Sequence, residues 1–559
     1  MGARWMNTIL NGLYVLTCRP QYMNFRQGAA SCEETQKHVL TRILRENRDT
    51  IYGRKFNFHL IKDYRDYSEN VPLTDYEDYR EYIDKIAGGE KNVLTASKVR
   101  LFEPTGGSTG PGKWVPYTDG LKNEYGKGLA PWIYDLYTRY KGLGSGVSYW
   151  SVSPVTGFRE ITPGGIPVGF DNDADYFGPF RRFLLEKLFA VPEEVLYTSS
   201  MDTFRYVTLL FLLKAENLTL ISVWHPSFLT LLVSRLGEWS IKLVRDLSDG
   251  TISPPGPMEM SLKKRLENKL GRNKSRALEV KKNLFSGQPA GLIHRQLWPN
   301  LKLVSCWTDS HAAIFLTGLG DLFPGVDIQG KGLIATEGFI SFPFSLSGGN
   351  ILSVRSHFFE FSDPDNNMVI PAWELNTGRE YSVLLTTSGG LYRYRMHDRV
   401  VVTGKYQETP LLRFLGKETK ISDYFGEKLN ESRISVILNH LIIKYRLSPL
   451  FMMLSPEMSE DGIFRYALSL ELGSEFIPQS LDILAGELET GLREDFHYNY
   501  CRELLQIHPA RIFLIEPGSQ PMGSYFRKCQ AEGQAAGNIK PAVLDSRMGW
   551  PAEFTGKYI

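Results

Sequence analysis

The chain has 559 residues, enough for three or four domain-sized units. Apolar residues make up 42% and charged residues 23%, which excludes a disordered chain. Lys and Arg total 64 against 62 for Asp and Glu. The resulting net charge of +2 gives no overall attraction to nucleic acid or to acidic membranes, so we expect neither as a partner.

The five cysteines are sparse, odd in number and without a Cys-x-x-Cys pair. This usage argues against a disulfide framework or a zinc knuckle and fits a reducing compartment. No apolar run reaches about 18 residues, so we expect no membrane-spanning helix. The first residues also lack the apolar core and cleavage site of a signal peptide, and the sequence therefore predicts a cytoplasmic protein.

The first hundred residues are predicted to be helical. Ser31 and Glu34 have capping-box spacing ahead of an apolar set at helical spacing. Thr74 and Glu77 repeat this pattern, and Gly88 is predicted to end the second helix.

From about residue 100, short β-rich runs alternate with helical stretches. The runs are Leu218 to Val223, Leu301 to Cys306 and Leu333 to Ala335. Such alternation predicts an α/β fold with a mainly parallel sheet. Farther on, Tyr381 to Thr386 and Leu391 to Arg395 flank Ser388-Gly389-Gly390 and are predicted to form a β-hairpin.

The last 140 residues or so are predicted to form a compact α+β unit of normal domain size. Its predicted elements are a helix from Glu431 to Tyr445, strands from Leu450 to Leu454 and from Phe464 to Leu472, a helix from Gln479 to Arg493 and a strand from Arg511 to Ile515. We place the boundary near Gly416, which divides the chain into residues 1–415 and 416–559.

The strongest local signal is the segment from Thr105 to Lys113, which holds four glycines, three hydroxyl residues and a lysine in nine positions. Glycines allow close backbone approach, and free N–H groups, hydroxyls and an ammonium together suit phosphate. The segment also fits the start of a Walker A motif, but that motif needs Ser or Thr where this chain has Trp114, and indole cannot hold a metal. A simple surface turn is the structural alternative.

The segment resembles the hydroxyl-rich loop of adenylate-forming enzymes, the superfamily of acyl-CoA synthetases, peptide-synthetase adenylation domains and luciferases. More narrowly, the chain is similar to the acyl acid amido synthetases first known as plant auxin-responsive (Gretchen Hagen) proteins, and to their bacterial relatives. The resemblance covers most of the chain. Besides the loop, it rests on the ordered segments Val71-Pro72, Tyr76 to Tyr79, Leu297 to Asn300, Ala335 to Gly338, Tyr392 to Asp398 and Gly426 to Glu431.

The resemblance implies a large adenylation domain over residues 1–415, with β-sheets flanked by helices, and a small mobile lid domain over residues 416–559. It implies that a carboxylate attacks the α-phosphorus of ATP, giving an acyl-adenylate and pyrophosphate. Site residues are implied by the matching motifs. The loop residues that would hold the phosphates are Thr105, Gly106, Gly107, Ser108, Thr109, Gly110 and Lys113.

Two acidic positions complete the implied nucleotide site. Glu337 resembles the glutamate that holds Mg²⁺, a cation that prefers carboxylate oxygen, with Thr336 beside it on the adenylate phosphate. Asp398 resembles the aspartate that accepts both ribose hydroxyls. His397 stands where the family usually has Gly, which leaves the local turn open, and by itself it has the character of a surface histidine. Lys417 stands where the superfamily has Arg.

The resemblance also implies a lysine delivered by the small domain to the reacting carboxylate and α-phosphate. Lys540 occupies the matching position, with Lys528 as runner-up, and Lys428 resembles a further phosphate or hinge contact. The acyl pocket is expected near Trp307-Thr308-Asp309-Ser310, with Thr308 and Asp309 as candidate contacts. Ordinary core packing is the alternative there.

The function implied is amide formation: an amine, expected to be an amino acid, attacks the acyl-adenylate and releases AMP. Two alternatives stay open from the sequence. In the first alternative, the acceptor is a thiol of coenzyme A or of a carrier protein. In the second, the chain is a non-catalytic binding protein with the same scaffold. The monomer is the family expectation for the oligomeric state.

Overall fold

The computed structural model describes residues 2–105, 113–151, 160–169, 184–198, 200–364, 366–418, 421–459, 462–473, 481–532, 534 and 539–559. Five helices precede the first strand, as predicted. They are α1 (Gly2–Ala30), α2 (Cys32–Asn47), α3 (Ile51–Lys55), α4 (Tyr64–Asn70) and α5 (Tyr76–Ala87).

The helix starts are close to their predicted positions, but the caps differ. Ser31 precedes α2 without a side-chain capping hydrogen bond. The α5 capping box is made by Asp75 and Asp78, one residue later than predicted, because the Thr74 hydroxyl donates instead to the Tyr392 carbonyl at 2.8 Å. The capping residues in the sequence therefore predicted where the helices begin but not which side chains make the capping hydrogen bonds.

Two sheets follow in the next part of the chain. The strands are β1 (Val99–Thr105), β2 (Lys113–Thr118), β3 (Val147–Trp150), β4 (Glu160–Ile161), β5 (Pro167–Val168), β6 (Leu218–Ser222), β7 (Leu303–Ser305) and β8 (Asp327–Gln329). One sheet has the order β2-β1-β5-β4; the other, β3-β6-β7-β8, is entirely parallel.

Helices connect and cover the strands of the parallel sheet, as βαβ crossovers require. They are α6 (Asp119–Arg139), α7 (Met201–Lys214), α8 (Pro226–Val233), α9 (Leu236–Asp249), α10 (Met260–Leu270), α11 (Lys274–Leu284), α12 (Ala290–Leu297) and α13 (Leu316–Leu322). Because the strands are parallel, their carboxyl ends meet at one edge, the usual position of ligand sites in such sheets.

The largest sheet is antiparallel, so the prediction of a mainly parallel organisation is wrong for this part. Its strands are β11 (Ser341–Phe344), β12 (Gly349–Leu352), β13 (Phe358–Ser362), β14 (Val369–Pro371), β15 (Glu380–Thr386), β16 (Tyr394–Tyr406) and β17 (Thr409–Lys417), in the order β11-β12-β17-β16-β15-β13-β14. The connections between its strands are too short for parallel crossovers. Leu333 to Ala335 belongs to neither sheet, because β9 (Ile334–Ala335) pairs only with β10 (Gly338–Phe339).

The predicted hairpin between β15 and β16 is confirmed, and the next hairpin, β16 with β17, contains two irregularities. The pairing shifts between Val402 and Gly404 and again between Arg399 and Val400. Beyond the second shift, Asp398 is opposite Lys417. These shifts are β-bulges, which change the register of one strand against the other.

The last part of the chain has its own sheet and its own hydrophobic core. It contains β18 (Ile421–Ser422), β19 (Leu429–Asn430), α14 (Glu431–Tyr445), β20 (Pro449–Met458), β21 (Phe464–Leu472), α15 (Leu481–Arg493), α16 (Phe496–Glu503), β22 (Arg511–Ile515), α17 (Pro521–Ala531) and β23 (Gly556–Tyr558). Apart from Phe315, the buried members of this core lie between Leu429 and Phe554.

Two other large cores support the rest of the chain. One packs the first helices against the seven-stranded sheet, and the other packs helices against the parallel sheet. All five cysteines are free and buried. Within the described ranges, no helix is both long and apolar enough to cross a bilayer.

Candidate nucleotide and acyl site

The glycine-rich segment connects two antiparallel strands. Thr105 ends β1, Lys113 begins β2, and the two residues are directly paired. A Walker A motif needs a helix after its loop, so the strand that follows here argues against that alternative. Gly106, Gly107, Ser108, Thr109 and Gly110 lie outside the described residues.

Tyr76 at the start of α5 holds the far end of this segment. Its hydroxyl accepts a hydrogen bond from the Trp114 N–H at 2.6 Å, and the Lys113 ammonium lies 5.6 Å from its ring centre. A cation over an aromatic face is attracted by the ring quadrupole. The entry into β2 is therefore fixed by the first helical region.

Thr336 and Glu337 form the turn between β9 and β10, and two tyrosine side chains hydrogen-bond to the backbone of this turn. The hydroxyls of Tyr117 and Tyr125 each donate to the Thr336 carbonyl at 2.9 Å. Burial raises the pKa of Tyr125 well above its usual value, so the phenol stays a donor at neutral pH. Both rings are buried, and the turn carries Glu337 on a rigid base.

A buried ionic network supports the same turn from its other end. The Phe339 N–H donates to His357 Nε2 at 3.0 Å, and His357 Nδ1 lies 3.0 Å from Glu124. Burial alone would raise the pKa of Glu124, but the hydrogen bond with His357 and the charge of the Arg42 guanidinium, 2.7 Å away, hold that pKa below its usual value. The acceptor role of Nε2 fixes the proton on Nδ1, facing the carboxylate.

Asp398 and Lys417 form an ion pair across β16 and β17. The Lys417 ammonium lies 3.2 Å from Asp398 Oδ1, while Oδ2 is buried without a hydrogen-bond partner among the residues that the structure describes. Burial alone would lower the pKa of Lys417, but the carboxylates of Asp398 and Glu337 outweigh it and raise that pKa. Asp398, Lys417 and Glu337 thus share one electrostatic environment.

His397 is not the ordinary surface histidine that the sequence predicts. Its Nε2 lies 2.7 Å from Asp75 and its Nδ1 lies 3.4 Å from Glu418, so carboxylates face both ring nitrogens. The hydrogen bond with Glu418 and that with Asp75 raise the pKa of His397 against the opposing effect of burial. Its backbone φ of 58° lies in the left-handed region that favours glycine, which explains how it replaces the family's glycine.

Thr308 and Asp309 follow β7 at the carboxyl edge of the parallel sheet. The Asp309 carboxylate lies 3.4 Å from both the Phe414 N–H and the Asn350 side-chain amide, tying this loop to β17 and β12. Burial raises the pKa of Asp309, partly offset by the Phe414 N–H. The carboxylate therefore has a supporting role in the loop, and Gly330 packs close to the Thr308 hydroxyl.

The candidate lysines occupy different surroundings. Lys540, from the C-terminal part, lies 4.4 Å from the ring centre of Trp307, on the same edge as Thr308. Lys528 contacts the Trp550 ring at 4.6 Å and Glu553 at 3.4 Å, both within the C-terminal part. Lys428 is exposed on a turn with a left-handed φ of 46°.

Comparisons with known proteins show the family of the chain. The model of the GH3 family N-terminal domain matches residues 21–328, and that of the GH3 family central domain matches residues 350–417. The first match alone covers more than half of the chain. The chain belongs to the GH3 family. GH3 is the auxin-responsive family that the motifs resemble.

Relatives of this GH3 protein are distant in sequence and close in fold. Indole-3-acetic acid-amido synthetase GH3.4 of Arabidopsis thaliana is 24% identical over 72% of this chain and 69% of its own length. The 4-substituted benzoates-glutamate ligase GH3.12 of the same plant is 23% identical over 72% of each chain. The solved structure of the acyl acid amido synthetase AtGH3.15 with 2,4-DB has a TM-score of 0.83 at 20% identity, over 95% of this chain and 94% of that one.

Sequence reasoning about this GH3 chain missed the residues that support the site. Tyr117, Tyr125, Glu124 and His357 carry no motif of their own and meet the Thr336–Glu337 turn only in the folded chain. A usable signal was the acidic Glu124 among the mostly apolar buried residues of α6, since a buried carboxylate requires partners.

Proposed function

We propose that this GH3 chain is an ATP-dependent acyl acid amido synthetase. In the first step a carboxylate oxygen of the acid attacks the α-phosphorus of ATP, and pyrophosphate leaves with the electrons of the broken P–O bond. In the second step an amine attacks the acyl carbon of the mixed anhydride. AMP leaves with the electrons of the broken C–O bond, and the nitrogen loses a proton. By analogy with the named relatives, the amine is an amino acid.

The observation that carries this proposal is the buried Asp398 carboxylate. Its Oδ1 is paired with Lys417 and its Oδ2 has no partner among the described residues, although burying an unpaired carboxylate oxygen is costly. In the proposed complex the ribose hydroxyls donate to this carboxylate. Lys417 offsets the charge of this carboxylate and reaches toward a ribose or phosphate oxygen.

The phosphates are proposed to lie on the segment from Thr105 to Lys113, with Ser108, Thr109 and Gly110 as closest contacts and Thr336 on the adenylate phosphate. Glu337 is proposed to hold Mg²⁺. Among the described residues there is no group of three or more metal-ligating side chains. A single carboxylate still suits Mg²⁺, which keeps several waters and completes its shell with substrate phosphates. When bound, the cation neutralises charge on the triphosphate.

Lys540 is proposed to stabilise the charge that develops as the acyl oxygen bonds to phosphorus. Support comes from its position against Trp307 at the edge that also carries Thr308, rather than inside the C-terminal part like Lys528. We further propose that residues 416–559 form a small lid that closes on a large domain of residues 1–415, with Lys417 and Lys428 near the hinge. The separate C-terminal core supports this division.

Thr308 and Asp309 are proposed to border the acyl pocket. Asp309 acts there indirectly, by accepting a hydrogen bond from the Phe414 backbone N–H.

The test measures pyrophosphate release with ATP, Mg²⁺ and a panel of aromatic, fatty, hydroxy and jasmonate-like acids. Acid-dependent release is expected, followed by amide and AMP when amino acids are added, identified by mass. Absence of release with every acid would contradict adenylation. A coenzyme A thioester as product, with no amide formed, would show that the acceptor is a thiol and not an amine.

The residue assignments need a matched pair of variants. Lys540→Met removes an ammonium over Trp307, and Lys528→Met removes one over Trp550 in the same part of the chain. We expect Lys540→Met to lower the adenylation rate about 100-fold or more while ATP binding is retained, because its contact strengthens in the transition state. Lys528→Met should leave the rate near normal, and the reverse result would transfer the role to Lys528.

A further inference from the structure

The outer face of α1 exposes a continuous apolar stripe. Trp5 is 66% and Leu16 is 59% exposed, and the buried side of the same helix faces the core through Tyr14, Cys18 and Phe25. Such an arrangement leaves two apolar faces on one helix, of which only one is covered. The large apolar side chains of the exposed stripe are Trp5, Met6, Ile9, Leu13, Leu16 and Met23.

The stripe follows the helical repeat. Trp5, Ile9, Leu16 and Met23 are separated by four and seven residues, which places them on one side of α1. From Trp5 to Met23 the stripe is about 27 Å long at about 1.5 Å per residue. Exposed apolar surface of this length on a monomer marks an interaction surface. Most of it precedes residue 21, where the family match begins.

The charge of α1 identifies the partner. Arg4, Arg19 and Arg26 are exposed, and residues 2–30 contain no Asp or Glu. A second copy docked through this helix would bring arginines against arginines without an acidic partner on either helix. An anionic surface complements the same pattern, since apolar side chains enter the headgroup region and arginines bind lipid phosphates.

We propose that the exposed face of α1 binds the surface of an anionic lipid bilayer, with the helix lying parallel to the membrane plane. This is surface attachment and not a membrane span. The near-neutral charge of the whole chain predicted no membrane partner, but that average includes a helix whose charged side chains are all arginines. The attachment would position the enzyme at a membrane independently of its adenylation chemistry.

The experiment is co-sedimentation of the full chain with vesicles of phosphatidylcholine, with or without about one third phosphatidylserine. We expect binding to the anionic vesicles that falls severalfold between about 0.05 and 0.5 M salt. The double variant Ile9→Glu, Leu16→Glu should lower the bound fraction at least about tenfold. Ile443→Glu is the matched control, because Ile443 is 77% exposed on α14, and its binding should equal that of the natural chain.

Pyrophosphate release should be unchanged in all variants, which shows that they are folded. Failure of the natural chain to bind anionic vesicles, equal binding to neutral vesicles, or equal loss in the Ile443→Glu control would each overturn the proposal. Light scattering tests whether a second copy covers the stripe instead. A natural chain that is dimeric and an Ile9→Glu, Leu16→Glu variant that is monomeric would show this and would also overturn the membrane proposal.

Discussion

Replacing Trp307 tests how Lys540, the proposed catalytic lysine, is positioned. The Lys540 ammonium lies 4.4 Å from the ring centre, and Trp307 is itself supported by Trp224, whose ring centre is 5.6 Å away. An exposed cation–π contact contributes about 0.5–1 kcal/mol. At about 1.36 kcal/mol per factor of ten, loss of the ring in Trp307→Leu should lower kcat/KM for adenylation about two- to fivefold.

A double-mutant cycle isolates this effect. If Trp307 acts only through Lys540, then adding Trp307→Leu to Lys540→Met should cause no further loss in pyrophosphate release. Trp373→Leu is the control, because it removes a ring under Lys37 at 5.9 Å, and the rate should not change. Full additivity of Trp307→Leu and Lys540→Met would refute the reasoning, as would a Trp307→Leu rate equal to that of the natural chain.

Three further predictions follow from the site. Asp398→Asn should lower kcat/KM for ATP about 10- to 100-fold, because hydrogen bonds to charged groups contribute about 1.5–3 kcal/mol. Initial rates at varied ATP concentrations measure this change, and an unchanged kcat/KM would show that Asp398 does not bind the ribose. His397 has a raised pKa in the folded chain, so its stabilising contribution is complete below the unfolded pKa of about 6.5 and is lost as pH rises through the folded value. The Tm of the natural chain should therefore fall more steeply above pH 6.5 than that of His397→Asn, and parallel curves would contradict this. Asp309→Asn should retain near-normal activity because an amide oxygen still accepts from the Phe414 N–H, whereas Asp309→Ala should lower the Tm; a large rate loss in Asp309→Asn would assign its charge to substrate.

Several C-terminal elements were predictable because each has one strong local period, whereas α16, α17 and β23 were not predicted and β20 (Pro449–Met458) is longer than the predicted strand from Leu450 to Leu454. The helix from Glu431 to Tyr445 and the strands Phe464–Leu472 and Arg511–Ile515 have the predicted bounds. In these segments the apolar spacing, the Asn430 N-cap and the flanking turns indicate the same element.

The arrangement of the strands in the large region was less accessible. A short apolar run such as Leu333 to Ala335 carries no information about its partner, and it pairs in a small hairpin instead of the parallel sheet. The family resemblance predicted Asp398, Lys417 and Glu337 as members of one site. In the structure the carboxylates of Asp398 and Glu337 both raise the pKa of Lys417, while the binding role of each residue stays a prediction. The tyrosine hydroxyls that support the Glu337 turn come from residues more than 200 positions earlier, which local patterns cannot connect.

The two bulges in the β16–β17 hairpin lie on opposite strands, and their offsets cancel. From Tyr406 opposite Thr409, the unmatched Thr403 advances β16 by one residue and the unmatched Leu415 later advances β17 by one. If Thr403 stayed unmatched but Leu415 paired in register, Lys417 would lie opposite His397; if Leu415 stayed unmatched but Thr403 paired in register, Lys417 would lie opposite Arg399, cation against cation. The pairing of Asp398 with Lys417 therefore requires both bulges or neither, so we expect the two bulges to be kept or lost together in evolution.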